Sequence, residues 1–204
     1  MRFNCEHLAS DHRSSDKVDS PSLVTVGHGT LHRDELVQLL GAKSVQLVID
    51  VRSAPGSRHH PQFGRAEMER WLPAAHTDYR WEPDLGGFRR PVFGSVNTAL
   101  RHPSFRGYAD YMATDRFRAG LRRLLKDATQ RCTAVMCAES LWWRCHRRLI
   151  ADAAVLTEGA AVCHLGHDGR VSSHRLTEGV RASEESGTTR LVYDAGLAVR
   201  HGVA

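Results

Sequence analysis

No stretch of this 204-residue chain approaches the roughly 18–20 consecutive apolar residues that span a bilayer. Its start, MRFNCEHLASDHRSSDKVDSPS, has no apolar core of the kind a secretory signal needs. Membrane insertion and export are therefore not indicated. Cysteine is sparse and odd in number, at five residues, which argues against a disulfide framework. A cytoplasmic protein with reduced thiols is the expectation. The chain contains neither GxGxxG nor GxxxxGK[S/T], so no dinucleotide fingerprint or P-loop supports a nucleotide cofactor. Internal repeats and low-complexity blocks are also missing, which excludes solenoids and compositional linkers.

What is present suits a single soluble domain. Hydrophobic content is 41% and charged content 25%, ordinary for a globular protein of this length. The net charge of +5 leans towards phosphate-bearing ligands or weak nucleic-acid association, although so small an excess equally suits a solvated basic surface. Short β-rich runs alternate with helical patterns. LVTVGHG, VQLVIDV, DYRWEPDLGG, CTAVMCAE and AAVCHLG read as strands, the third more weakly. HRDELVQLLGA, ending at Gly41, and PQFGRAEMERWLPAA, entered through Pro61, read as helices. YADYMATDRFRAGLRRLL reads as one long helix or two short ones.

Continuous apolar strands separated by helices predict a doubly wound, mostly parallel sheet of about five strands. The expected organisation is a flexible leader over 1–21 and an α/β domain over 22–167. A polar C-terminal extension, 168–204, follows as a mobile tail or a small appended element. In such sheets ligands bind outside the carboxyl ends of the strands. His28, Asp50, Arg52, Gly86, Gly87, Arg89, Cys137, Glu139 and His164 all follow predicted strands, so they converge on one edge.

Five segments in this order, TVGHGT, LVIDVRSAPGSRHHPQFG, LGGFRR, FRGYADYM and MCAESLWWRCHRRLIAD, resemble the DUF488 family, from about Leu23 to Leu165. Gly29-Thr30 replaces the usual ending of the family's T-I-G-H-S form, and Trp142 stands where proline is common. Neither change removes an ionisable group. The resemblance implies an α/β domain with a shared pocket and brings no reaction with it.

Three chemistries compete for that edge. In the first, Glu139 and Asp50 form a carboxylate pair whose environments separate their acidities, as a nucleophile or base and a second acid. His28 would then shuttle protons, and Cys137 would be a pocket wall or a reactive thiol near a helix N-terminus. The anionic, nucleotide- or nucleoside-like small molecule would be held by Arg52, Ser57, Arg58, Gly86, Gly87, Arg89 and Arg144, since arginine suits planar recognition of phosphate and carboxylate. A hydrolase or transferase acting on a glycosyl bond is the resulting expectation, with no cofactor.

In the second, Cys137, Cys145 and His146 make a thiol or metal centre, with His28 or His164 completing it. Seven residues separate the two cysteines, outside the compact zinc spacing. Placed on a helix, the adjacent Cys145 and His146 would point about 100° apart. Both features weigh against a metal. The third reading is a non-catalytic module binding nucleic acid through its basic loops. Oligomeric state is not legible.

Overall fold

The computed structural model describes residues 22–194 apart from Ser57 and Ser186. The expected leader over 1–21 and positions 195–204 of the extension lie outside the described residues.

The expected α/β sheet forms. β1 (Ser22–Gly27), β2 (Leu47–Asp50), β3 (Asp78–Trp81), β4 (Thr133–Cys137) and β5 (Ala161–Leu165) run parallel. β6 (Val171–Ser173) joins the β5 edge antiparallel. The order is β3-β2-β4-β1-β5-β6. The helices are α1 (Arg33–Ala42), α2 (Arg65–Ala74), α3 (Pro103–Met112), α4 (Asp115–Gln130) and α5 (Arg147–Glu158). β7 (Val180–Glu185) and β8 (Thr188–Tyr193) form a separate hairpin.

Both faces of the sheet are covered, and strand alternation shows how. On β4, Ala134 and Met136 join the cluster built with Leu36 and Leu40 of α1 and Met68, Trp71 and Leu72 of α2. Their neighbours Val135 and Cys137 join the cluster built with α3, α4 and α5. Every residue of β4 is buried, which is why it reads as an unbroken apolar run. The long helical pattern divides at Thr114, whose hydroxyl accepts from the Phe117 N–H and caps α4. α1 continues one residue past Gly41, and the turn falls at Ser44, with φ of 52°.

The extension over 171–193 is folded onto the domain, held by a buried polar column. The hydroxyl of Tyr193 donates to Asp152 at 3.0 Å, and Asp152 accepts from Nε2 of His174 at 2.9 Å. His174 meets His164 at 2.9 Å, and His164 meets the Thr25 hydroxyl at 2.7 Å. Trp142 stacks on His164 with ring centroids 3.8 Å apart. These hydrogen bonds act together with apolar packing, since Val180, Leu191 and Tyr193 of the hairpin lie against the core cluster.

β1 and β4 are neighbours whose onward connections leave in opposite directions, to β2 beyond β4 and to β5 beyond β1. Such a switch point opens a crevice at the carboxyl ends. The connections pass so closely that a Cβ at Gly27 would overlap the Glu139 carbonyl. Only glycine serves there.

Candidate functional site

Two polar clusters sit at this crevice, divided by the pleat of the sheet. The first centres on Asp50, fully buried at the end of β2. Arg52 holds its carboxylate through Nε at 2.9 Å and Nη2 at 2.6 Å, and the Tyr79 hydroxyl donates to it at 2.7 Å. The Arg52 N–H adds a further bond at 3.0 Å. Nη2 of Arg52 also reaches the Phe63 carbonyl, and Nη1 faces Nε2 of His28 at 3.2 Å. With its Nδ1 next to the Gly29 carbonyl at 3.0 Å, His28 carries its proton there and accepts from Arg52. Burial, then the Arg52 charge, lowers the His28 pKa from 6.5 to about 4. The imidazole is therefore neutral and stacked on Phe63, centroids 4.3 Å apart. Asp50 and Arg52 are brought together as a mutual pair, and His28 is drawn into it.

The second cluster is Cys137, Cys145 and His146. Cys137 ends β4 on the α3–α5 side. The expectation that Cys145 and His146 share a helix is corrected. The chain makes a 3-10 turn over Trp142–Arg144, Cys145 is extended with φ of −119° and ψ of 151°, and His146 is the cap residue before α5. Because the backbone changes direction between them, the 100° separation of helical neighbours does not apply. Both sulfurs face Nδ1 of His146, at 3.6 Å from Cys145 and 3.9 Å from Cys137.

The ring is fixed from the other side, where Nε2 donates to the Val51 carbonyl at 3.0 Å. That bond places the proton on Nε2 and leaves Nδ1 as a lone pair aimed at the thiols. Gly87 packs on the ring so tightly that a Cβ would lie 3.0 Å from Nδ1. Tyr108 closes a further side, with centroids 5.1 Å apart and its hydroxyl tied to the Leu85 carbonyl.

Arg147, which the sequence reading passed over, decides the electrostatics. Only 1% of it is exposed. Its Nε donates to Sγ of Cys145 at 3.3 Å and its Nη2 to the Glu139 carbonyl, and among the described residues no carboxylate pairs with it. Burial opposes ionisation of Cys145. The hydrogen bond from Cys137 and, more weakly, the Arg147 charge overcome it and hold this thiol well below the ordinary range. Cys137 moves the other way, raised by its hydrogen bond to Cys145 and by burial. The pair is asymmetric: Cys145 is the more acidic thiol and Cys137, its hydrogen-bond donor, the less acidic one. A signal for Arg147 existed: an arginine in the first turn of a largely apolar helix, close to a cysteine and a histidine.

The remaining predicted residues take other places. Glu139 is half-buried, and its carboxylate accepts from the Leu141 N–H at 3.1 Å, two residues on in its own loop. Gly86 lies against Ser53, whose hydroxyl donates to the Gly87 carbonyl at 2.7 Å. Arg89 lies over the Tyr111 ring at 4.1 Å. Arg58 and Arg144 are exposed, and Ser57 is outside the described residues. His164, a possible fourth ligand, is engaged in the column with Thr25 and His174.

Among the described residues, Cys137, Cys145 and His146 form the one group of three or more metal-ligating side chains with converging donor atoms, all within 4.8 Å of one another. No described helix is long and apolar enough to cross a membrane. No curated protein and no solved structure matches the chain. A family model described as "Domain of unknown function DUF488" matches residues 32–154, more than half of the sequence. The chain belongs to the DUF488 family.

Proposed function

We propose that the protein is a metal-dependent hydrolase or transferase whose centre is a thiophilic divalent cation, zinc in the first instance, held by Cys137, Cys145 and His146. One observation carries this reading: the spacing of the two sulfurs from Nδ1. Zinc bond lengths and a tetrahedral angle put a sulfur–nitrogen edge at about 3.6 Å, beside the 3.6 and 3.9 Å found. Two supports follow. The Nε2–H bond from His146 to a main-chain carbonyl is the orientation metal-bound histidines use. Three protein ligands also leave a fourth position open, as catalytic zinc sites do.

A cation there would supply Lewis-acid polarisation of a substrate oxygen or of water. Glu139, two residues beyond Cys137, is the carboxylate at the same strand end and serves as general base. Asp50 is better suited to locking Arg52 than to acid chemistry, because four donors already occupy its carboxylate. An anionic substrate fits the arginine-rich rim.

Elemental analysis of reduced, folded protein tests the reading. Stoichiometric zinc, or cobalt giving thiolate charge-transfer bands, is expected, and loss of both in Cys145→Ser and His146→Gln. Reduced wild-type protein that takes up neither metal would sink the proposal. A second reading rests on the buried Arg147–Cys145 contact: without a cation, the Cys145 thiolate is a nucleophile in its own right. Alkylation at Cys145 that zinc does not protect against would favour it.

A further inference from the structure

Of the seven exposed large hydrophobic side chains among the described residues, four lie within one loop: Phe88 at 90%, Val92 at 61%, Phe93 at 107% and Val96 at 61%. The loop is firmly seated. Asp110 of α3 accepts from the Val92 N–H at 2.9 Å, the Ser95 hydroxyl at 2.7 Å and the Asn97 amide at 2.8 Å. Its backbone lies so close to α3 that a Cβ at Gly107 would overlap the Arg89 carbonyl. Phe88 is held in the left-handed region, with φ of 56°, while its ring stands in solvent. A bulky residue in that conformation is strained, and strain of this kind gathers at functional sites. The preceding residue, Gly87, is the one packed on His146.

Charge identifies the occupant. Residues 85–109 contain four arginines, at 89, 90, 101 and 106, and no aspartate or glutamate. The first acid beyond them, Asp110, is occupied by the loop itself. Exposed rings interleaved with arginines suit a strand whose bases stack and whose phosphates pair with guanidinium groups.

We propose that the 88–106 segment binds single-stranded nucleic acid and leads it to the Cys137–Cys145–His146 centre. The inference rests on the functional reading above and names its substrate class. Phe88 and Phe93 supply the stacking platforms, and Arg90 and Arg101 the phosphate contacts. Delivery is short, because one peptide unit separates Phe88 from the glycine on the His146 ring.

Fluorescence anisotropy with labelled single-stranded DNA and RNA homopolymers tests this on the full chain, with anionic phospholipid vesicles as a parallel arm. Phe88→Ala/Phe93→Ala should weaken oligonucleotide binding about tenfold or more, by loss of stacking. Its melting temperature should stay unchanged, because both rings are exposed. Arg90→Glu/Arg101→Glu should weaken binding and flatten its dependence on salt. Phe88→Ala/Phe93→Ala should also keep the wild-type zinc stoichiometry, so failure of the metal centre and failure of the loop reading are separable. Failure of the wild type to bind either homopolymer would overturn the proposal. So would binding that the phenylalanine pair leaves unaltered, or vesicle binding that alone depends on that pair.

Discussion

His146 hangs from the main-chain carbonyl of Val51, its Nε2 at 3.0 Å, and so turns its Nδ1 towards two thiols. Val51 directly follows β2, while His146 precedes α5 by one residue, so the bond spans 95 positions of sequence. It makes the histidine a fixed acceptor and gives the two cysteines a common partner.

Proton counting gives the first prediction. The Cys145 thiol is shifted well below its ordinary range, mainly by the hydrogen bond from Cys137, and Cys137 is shifted well above it. Loading zinc at neutral pH should therefore release close to one proton per metal, where two ordinary thiols would release nearly two. Calorimetry in buffers of different ionisation enthalpy measures it. Release of two protons would show that Cys145 is not a thiolate beforehand.

Arg147→Met removes the buried cation beside Cys145. The thiolate loses a stabilising charge, so its pKa rises and less of it is ionised at neutral pH. The ultraviolet thiolate absorbance of the metal-free protein should then titrate at higher pH than in the wild type. An unchanged titration would mean that the charge of Arg147 does not act on Cys145.

The two carboxylates once paired on sequence grounds should respond very differently. Asp50→Asn leaves Arg52 buried without its counter-ion and should cost about 3–5 kcal/mol of stability. Glu139→Gln keeps an acceptor for the Leu141 N–H in a half-buried loop and should stay within about 0.5 kcal/mol. Urea denaturation compares them. Substrate turnover by Glu139→Gln, if Glu139 is the base, should fall by about 10²–10⁴-fold.

Two histidines set an acid limit. Burial, then nearby positive charge, lowers the pKa of His28 to about 4, while burial, then His174, lowers that of His164 to about 3, both from 6.5. The unfolded chain binds protons that the native chain refuses, so their contribution is complete above about pH 6.5. It is lost as pH falls towards 4 for His28 and towards 3 for His164. Denaturation midpoints recorded from pH 7 to pH 4 should decline along this course, and His28→Gln should flatten the decline. A flat wild-type profile would contradict the neutral assignment.

Much of the fold could be read directly. VQLVIDV and CTAVMCAE are apolar on both pleats because a parallel strand covered by helices on both sides has no solvent face. Those same runs carry Asp50 and Cys137 to the carboxyl edge. The polar extension was harder to read. Its order comes from the hydrogen bonds that link Tyr193, Asp152, His174 and His164 and from Val180 and Leu191 packed on the core, partners that lie far apart in sequence.

By itself the sequence determined the α/β class, the family and the strand end on which the chemistry-bearing residues gather, because these follow from periodicity and local motif. Only the tertiary structure decided which of them meet. Asp50 and Cys137 both end strands, but the pleat sends Asp50 to Arg52 on one face and Cys137 to His146 on the other. Cys145 and His146 looked divergent because a helix was assumed, and the 3-10 turn before them makes both face one point. Arg147 meets the Cys145 sulfur for the same reason, since the turn and the close pass of Gly27 under Glu139 fix where its guanidinium lies. Such meetings depend on loop geometry and long-range packing, and local spacing in a sequence carries neither.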